Sequence, residues 1–318
     1  MPTVADVEPL QGILHSIEPG APLVHGALTV IPLLTPSSKE VDWVTLEEAG
    51  DVVVVTEASG GASVPTLQVN NAGDRPLLLL DGEELIGAKQ NRVLNTTVLV
   101  GAHSTVTIPV SCVEAGRWAY RTARFAAGGT SLYASLRADK AAQVTDSLRL
   151  RGRHQSDQAY IWKSLAARER QLDTQTPMGA MHDVFERHDP TIAGAREALG
   201  AQPRQIGSLV YLSGRWVGLD VLGSEGLFRR VWPRLCAGYA ADAIGRADSQ
   251  PPKESPGAIL ERVASSPVSR MPAVGLGWEL RLDGGAVRGA ALIADDRVVY
   301  LMAFPTAVKG NGPDVSNC

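Results

Sequence analysis

Between Asp81 and Arg92 the sequence runs DGEELIGAKQNR, directly after four leucines. Carboxylates at Asp81, Glu83 and Glu84 are followed by a lysine, two amides and an arginine. Gly82 and Gly87 allow a tight backbone path or the close approach of a ligand. If the segment stays extended, Glu84, Ile86, Ala88, Gln90 and Arg92 share one face, and Glu83, Leu85, Lys89 and Asn91 share the other. Both faces are chemically mixed, so neither is a plain solvent edge nor a plain core. The bland alternative is a polar loop with surface ion pairs.

A second segment favours chemistry. In Thr105 to Glu114 the alternation puts Val106, Ile108, Val110 and Cys112 on one face and extends that face to Glu114. A carboxylate at the end of a buried face is costly unless it is paired or functional. Gly116-Arg117-Trp118-Ala119-Tyr120-Arg121 follows at once. Its two guanidiniums and two aromatic rings suit gripping a phosphate or carboxylate and stacking on a base or sugar. An internal ion pair of Glu114 with Arg92, Arg117 or Arg121 is the structural alternative. The candidate catalytic carboxylates are thus Glu114, Glu83 and Glu84, and the candidate substrate-binding residues are Lys89, Gln90, Asn91, Arg92, Arg117, Trp118 and Arg121. Two carboxylates in different environments are the minimum for glycoside-type hydrolysis.

Other chemistries find less support. His182 and His188 are six apart and do not share a helix face, so no metal site is expected. Asp81, Glu83 and Glu84 lack a fixed spacing for magnesium. Neither glycine-rich stretch, Ser59 to Ser63 or Ala126 to Thr130, matches a phosphate or dinucleotide fingerprint. No cofactor is expected. Gly223-Ser224-Glu225-Gly226 opens a helix, where Ser224 reads as an N-cap rather than an anion site.

The elements that must position these residues follow from the remaining pattern. The 318 residues carry 44% apolar and 20% charged side chains, enough for a substantial core. A net charge of -4 gives no reason to expect nucleic acid or an anionic membrane as partner. The expected partner is a small ribosyl- or nucleotide-like molecule, and nothing sets the oligomeric state. Cys112, Cys236 and Cys318 are too dispersed for a disulfide framework or a zinc site. Together with an N-terminus unlike a signal peptide, they suit a reducing cytoplasm.

The fold class expected is α+β. Residues 1–126 read as a β-rich domain with the site, an antiparallel sandwich or barrel-like sheet. Strands are expected at Ala27–Leu34, Val52–Thr56, Val64–Asn70, Pro76–Leu80, Arg92–Val100 and Thr105–Val113, the last two joined as a hairpin through Gly101 to Ser104. Residues 127–205 read as a polar helical segment with one face wet, either a lid or a structural layer. Residues 206–304 read as an α/β segment completing the fold, with a helix from Ser224 to about Ile244 kinked or split at Pro233. Residues 305–318 read as a disordered tail.

LLLDGEELIGAKQNRVLN at 78–95 and IPVSCVEAGRWAYR at 108–121 resemble the ADP-ribosylglycohydrolase and rhodanese-phosphatase-associated protein domain, a bacterial family. The stretch at 207–244 resembles its second half. The resemblance implies the neighbourhood of ADP-ribose and NAD metabolism, and it supplies no catalytic residues of its own. The expected function is a hydrolase or lyase-type enzyme acting on an N-ribosyl, ADP-ribose or NAD-derived small molecule through paired carboxylates. A non-catalytic sensor of an NAD-derived nucleotide is the alternative, and a scaffold protein the third.

Overall fold

The strand Arg297–Pro305 explains the main architecture. Tyr300, Met302 and Phe304 belong to one buried cluster, and Leu301 and Ala303 to another. Side chains alternate along a strand, so both of its faces are covered. It lies in a nine-stranded sheet, antiparallel in every pairing, ordered Glu18–Pro19, Leu28–Leu34, Gln205–Leu212, Arg215–Leu222, Arg297–Pro305, Val287–Ala294, Trp278–Gly284 and Val268–Pro272, with Leu23–His25 also on Leu28–Leu34. The helices Ala134–Arg151, Gln158–Gln171, Met181–Arg187, Asp189–Ala198 and Glu225–Ala243 cover one face, and Val4–Ser16 and Pro256–Ala264 the other. This computed structural model describes residues 4–58, 65–116, 122–174 and 179–306.

The second body is a closed antiparallel barrel, ordered Ser104–Cys112, Thr66–Asn71, Val53–Glu57, Phe125–Ser131, Glu83–Gly87 and Arg92–Leu94. Val55, Leu67, Val69, Leu85, Leu94, Ile108 and Val110 fill its interior. The α+β class is as the sequence indicates, and of the two antiparallel forms the chain takes the barrel. Leu28–Leu34 stands apart from it and pairs with Gln205–Leu212. Its nearly unbroken burial marks a strand covered on both faces.

Three local expectations change. The run Arg92–Val100 is two strands, Arg92–Leu94 and Val98–Val100, because the buried polar residues Asn95, Thr96 and Thr97 interrupt it. The turn after Val100 does not make a hairpin: Val98–Val100 pairs with Leu77–Leu79, whereas Ser104–Cys112 pairs inside the barrel. Glu225–Ala243 runs through Pro233 as one helix, with Ser224 capping it by accepting the Leu227 amide at 3.2 Å. The Glu40 carboxylate accepts the Gly226 amide at 3.1 Å, so this helix N-terminus already holds an internal anion.

The helical layer is polar for a reason other than solvent. Arg137 and Lys140, on Ala134–Arg151, are fully buried. Lys140 Nζ donates to both Asp81 oxygens at 2.8 Å. Arg137 pairs with Asp220 at 2.6 Å, and Asp220 also accepts from Tyr239 and Tyr300. The helix thereby clamps Asp81-Gly82, at the entry to Glu83–Gly87, onto the large sheet. Gly82 has φ 78°, and a Cβ there would lie 3.1 Å from the Arg137 side chain. Cys112 and Cys236 are free and buried. No helix among the described residues is long and apolar enough to cross a membrane.

Candidate functional site

The segment from Asp81 to Arg92 is extended only as far as Gly87. It then turns, and Arg92–Leu94 returns antiparallel to Glu83–Gly87, pairing Leu85 with Arg92 and Glu84 with Val93. Gly87 serves the backbone, since a Cβ there would lie 2.4 Å from the Arg124 carbonyl oxygen. Glu83 and Glu84 are neighbours on this strand, so their side chains leave it on opposite sides.

Glu83 is an internal anchor. It is buried, accepts the Leu80 amide at 2.9 Å and pairs with Arg234 Nη1 at 2.8 Å. Arg234 also reaches Glu47 at 3.0 Å. Burial outweighs the pull of Arg234 and pushes the Glu83 carboxyl up to about 7. Its folded value then lies above its unfolded one, so the stabilisation it gives is complete below about 4.5 and is lost as pH rises through about 7. Glu83→Gln should therefore flatten the fall in unfolding free energy between pH 5 and 8, by up to ~3 kcal/mol. Chemical denaturation at several pH values measures it; parallel pH profiles in the two proteins would contradict it.

Glu84 is placed differently. Phe125–Ser131 pairs with Glu83–Gly87, but the register shifts between Ala127 and Ser131, leaving Gly128-Gly129-Thr130 as an irregular bulge beside Glu84. Such bulges re-aim side chains. Here it brings Thr130 Oγ1 to donate to Glu84 Oε2 at 2.5 Å. Gly128 must be small, because a Cβ would lie 3.0 Å from that oxygen. The same Glu84 oxygen faces His182 Nδ1 at 3.0 Å. Glu84 is 0% exposed, and its Oε1 has no hydrogen-bond partner among the described residues.

His182 sits on the short helix Met181–Arg187. The start of that helix is tied down: Ala180 bridges to Glu114, and the Met181 amide donates to the Val113 carbonyl at 2.9 Å. His182 is half-buried, with Nε2 3.5 Å from Glu186. The hydrogen bond to Glu84 raises its pKa against the opposing effect of burial. A carboxylate that holds one imidazole nitrogen fixes the ring and leaves the other nitrogen to exchange protons.

His182 lines a cleft of about 430 Å³ together with Gly128, Gly129, Thr130, Phe185, Glu186, Asp189, Ile192 and Arg196, and Glu84 is buried behind His182 and Thr130. The cleft lies between the barrel strand Phe125–Ser131 and the helices Met181–Arg187 and Asp189–Ala198. The middle segment therefore supplies a wall of the cleft as well as a layer of the core.

The other nominated residues gather at the Gly87–Arg92 turn. Glu114 is buried, and its Oε2 accepts the Asn91 amide at 3.0 Å. Arg92 Nη1 donates to the Gln90 carbonyl at 2.9 Å. Lys89 lies 4.0 Å from Glu57. Arg117, Trp118 and Arg121 lie outside the described residues. Glu84 and Glu114 are linked through Ala180 and His182, two positions apart on one stretch of chain. Sequence reading weighed His182 only as a metal ligand paired with His188 and missed its acid–base partner. The partner is 98 residues away, and no local spacing signals it.

The structure defines a mixed α+β protein in which a small antiparallel barrel and a helix-covered sheet frame a polar cleft with a carboxylate–histidine pair. Over residues 16–304 the chain matches the ARPP-1 family, described as ARG and Rhodanese-Phosphatase-superfamily-associated Protein domain, and it belongs to that family. No curated protein and no solved structure matches it.

Proposed function

We propose that the protein is a hydrolase or lyase-type enzyme that acts on an N-ribosyl small molecule of the ADP-ribose or NAD-derived kind. The observation that carries this reading is the Glu84–His182 pair, in which the histidine lines the cleft and the carboxylate is buried behind it. A histidine with a raised pKa, fixed by a buried carboxylate, can protonate a leaving base and take the proton back from water. Cleaving an N-ribosyl bond develops positive charge on the sugar, which the Glu84 carboxylate stabilises. Glu83 has a structural task in this scheme, holding Arg234 and the Leu80 amide. Glu114 holds the Asn91 turn and, through Ala180, the start of the His182 helix. The ribosyl character of the substrate rests on the family association alone.

The test incubates the protein with NAD, ADP-ribose and nicotinamide riboside, following products by mass spectrometry and binding by calorimetry. Release of the free base from at least one of them is the expected result. Binding without product would replace the enzyme by a sensor, and neither binding nor product would remove the reading.

A further inference from the structure

His182 has a carboxylate at each ring nitrogen. Nδ1 lies 3.0 Å from Glu84 Oε2, and Nε2 lies 3.5 Å from Glu186 Oε1, one turn further along the same helix. The two acids differ in setting. Glu84 is fully buried, whereas Glu186 is exposed and lines the cleft. A neutral imidazole has one N–H and one lone pair. In either tautomer the lone pair would face a carboxylate oxygen. Only the doubly protonated ring offers a proton to both acids.

The other groups around the ring do not oppose this. Thr130, on the bulge, is neutral and donates to Glu84. Asp183, on the same helix, and Asp189, at the start of the next, add negative charge. Arg196 also lines the cleft, but its donors go to the Pro233 and Gly129 carbonyls, each at 2.9 Å.

We propose that Glu186 is a positioning residue for the pair: it faces His182 Nε2, keeps a proton there, and makes the resting ring an acid that gives up its Nε2 proton and keeps its Nδ1 proton on Glu84. An exposed carboxylate pairs weakly, so an acceptor atom of a ligand can take its place at Nε2. This deepens the functional reading above, and only the chemical step rests on that reading. In that step the proton passes from Nε2 to the leaving atom of a neutral riboside. The bond to the sugar breaks and its electron pair goes to the leaving atom. Water then adds its oxygen to the sugar carbon, and the proton it releases returns to Nε2.

Titration of both His182 ring nitrogens by NMR, in the parent protein and in E186Q, tests the assignment without requiring turnover. E186Q should lower the pKa of the ring by about 0.2–0.7 pH units, the weight of an exposed ion pair. High salt should lower the parent value further than the E186Q value, because it screens an exposed carboxylate far more than a buried one. Above the pKa the remaining proton should sit on Nδ1. For any riboside that is turned over, the alkaline limb of the kcat profile should move down with the ring in E186Q. An E186Q value equal to or above the parent's, or a neutral ring protonated on Nε2, would overturn the assignment. The expected titrations without any turnover would support it while overturning the catalytic reading.

Discussion

Replacing Glu84 by Gln should lower turnover about 10²–10⁴-fold, the usual contribution of a positioned acid–base group, while the protein remains folded. Gln keeps the size of the side chain and can still accept from Thr130, so the bulge at Gly128-Gly129-Thr130 has no steric reason to move. What it removes is the charge that raises the His182 pKa and stabilises a cationic sugar. The same change at Glu114 should cost far less, because that side chain supports the Asn91 turn and the Ala180 bridge, whereas Glu84 holds the cleft-lining His182 directly. Steady-state rates for parent, E84Q and E114Q, with thermal melts alongside, measure the contrast. A fully active, folded E84Q would remove Glu84 from the chemistry, and a larger loss in E114Q would move the centre to the barrel turn.

The second large effect concerns stability. Lys140→Met should destabilise the protein by roughly 3–5 kcal/mol, the usual result of removing one partner from a buried ion pair. Lys140 and Asp81 are both 0% exposed, and both Asp81 oxygens are held by Lys140. Burial lowers the Lys140 pKa, so the ammonium depends on that carboxylate to remain charged. The variant strands Asp81 in the interior, just before Glu83 and Glu84. Pairing the change with Asp81→Leu removes both charges and should restore most of the loss. Urea denaturation of the three proteins measures this. A loss below about 1 kcal/mol in Lys140→Met would show that the pair does not hold the helix to the barrel.

These two results fall at different distances from what the sequence reveals. The strand Ser104–Cys112 is legible because Ile108, Val110 and Cys112 alternate with more exposed residues, and the burial of Glu114 follows from the same period. Ser224 is legible because an N-cap is a local contact. Phe125–Ser131 is hidden by its FAAGGTS composition, which lacks β-branched residues in its first five positions yet supplies the bulge beside Glu84. The first helix, Val4–Ser16, is masked by Pro9 within it.

The buried charges are hidden for a more general reason. ASLRADKAAQVTDSLRLR reads as a helix with a wet face, because Arg137 and Lys140 look solvated until their partners are known. Those partners, Asp220 and Asp81, are 83 and 59 residues away. A polar side chain in the sequence does not say whether water or a distant carboxylate satisfies it, and the same holds for His182. The Asp81–Arg92 segment stands out in the sequence for its crowd of charges. In the fold that crowd divides: Asp81 and Glu83 are tied to buried cations, Arg92 and Gln90 to the turn, and Glu84 alone of the three acids is held by residues that line the cleft.

The central claim is that Glu84 and His182 act as one proton-exchanging unit. The pH titration of the His182 ring by NMR, in the parent protein and in E84Q, tests it most directly. A parent pKa above the ordinary histidine value of about 6.5 and a clear drop in E84Q are expected. A ring that titrates at the ordinary value in both proteins would contradict it.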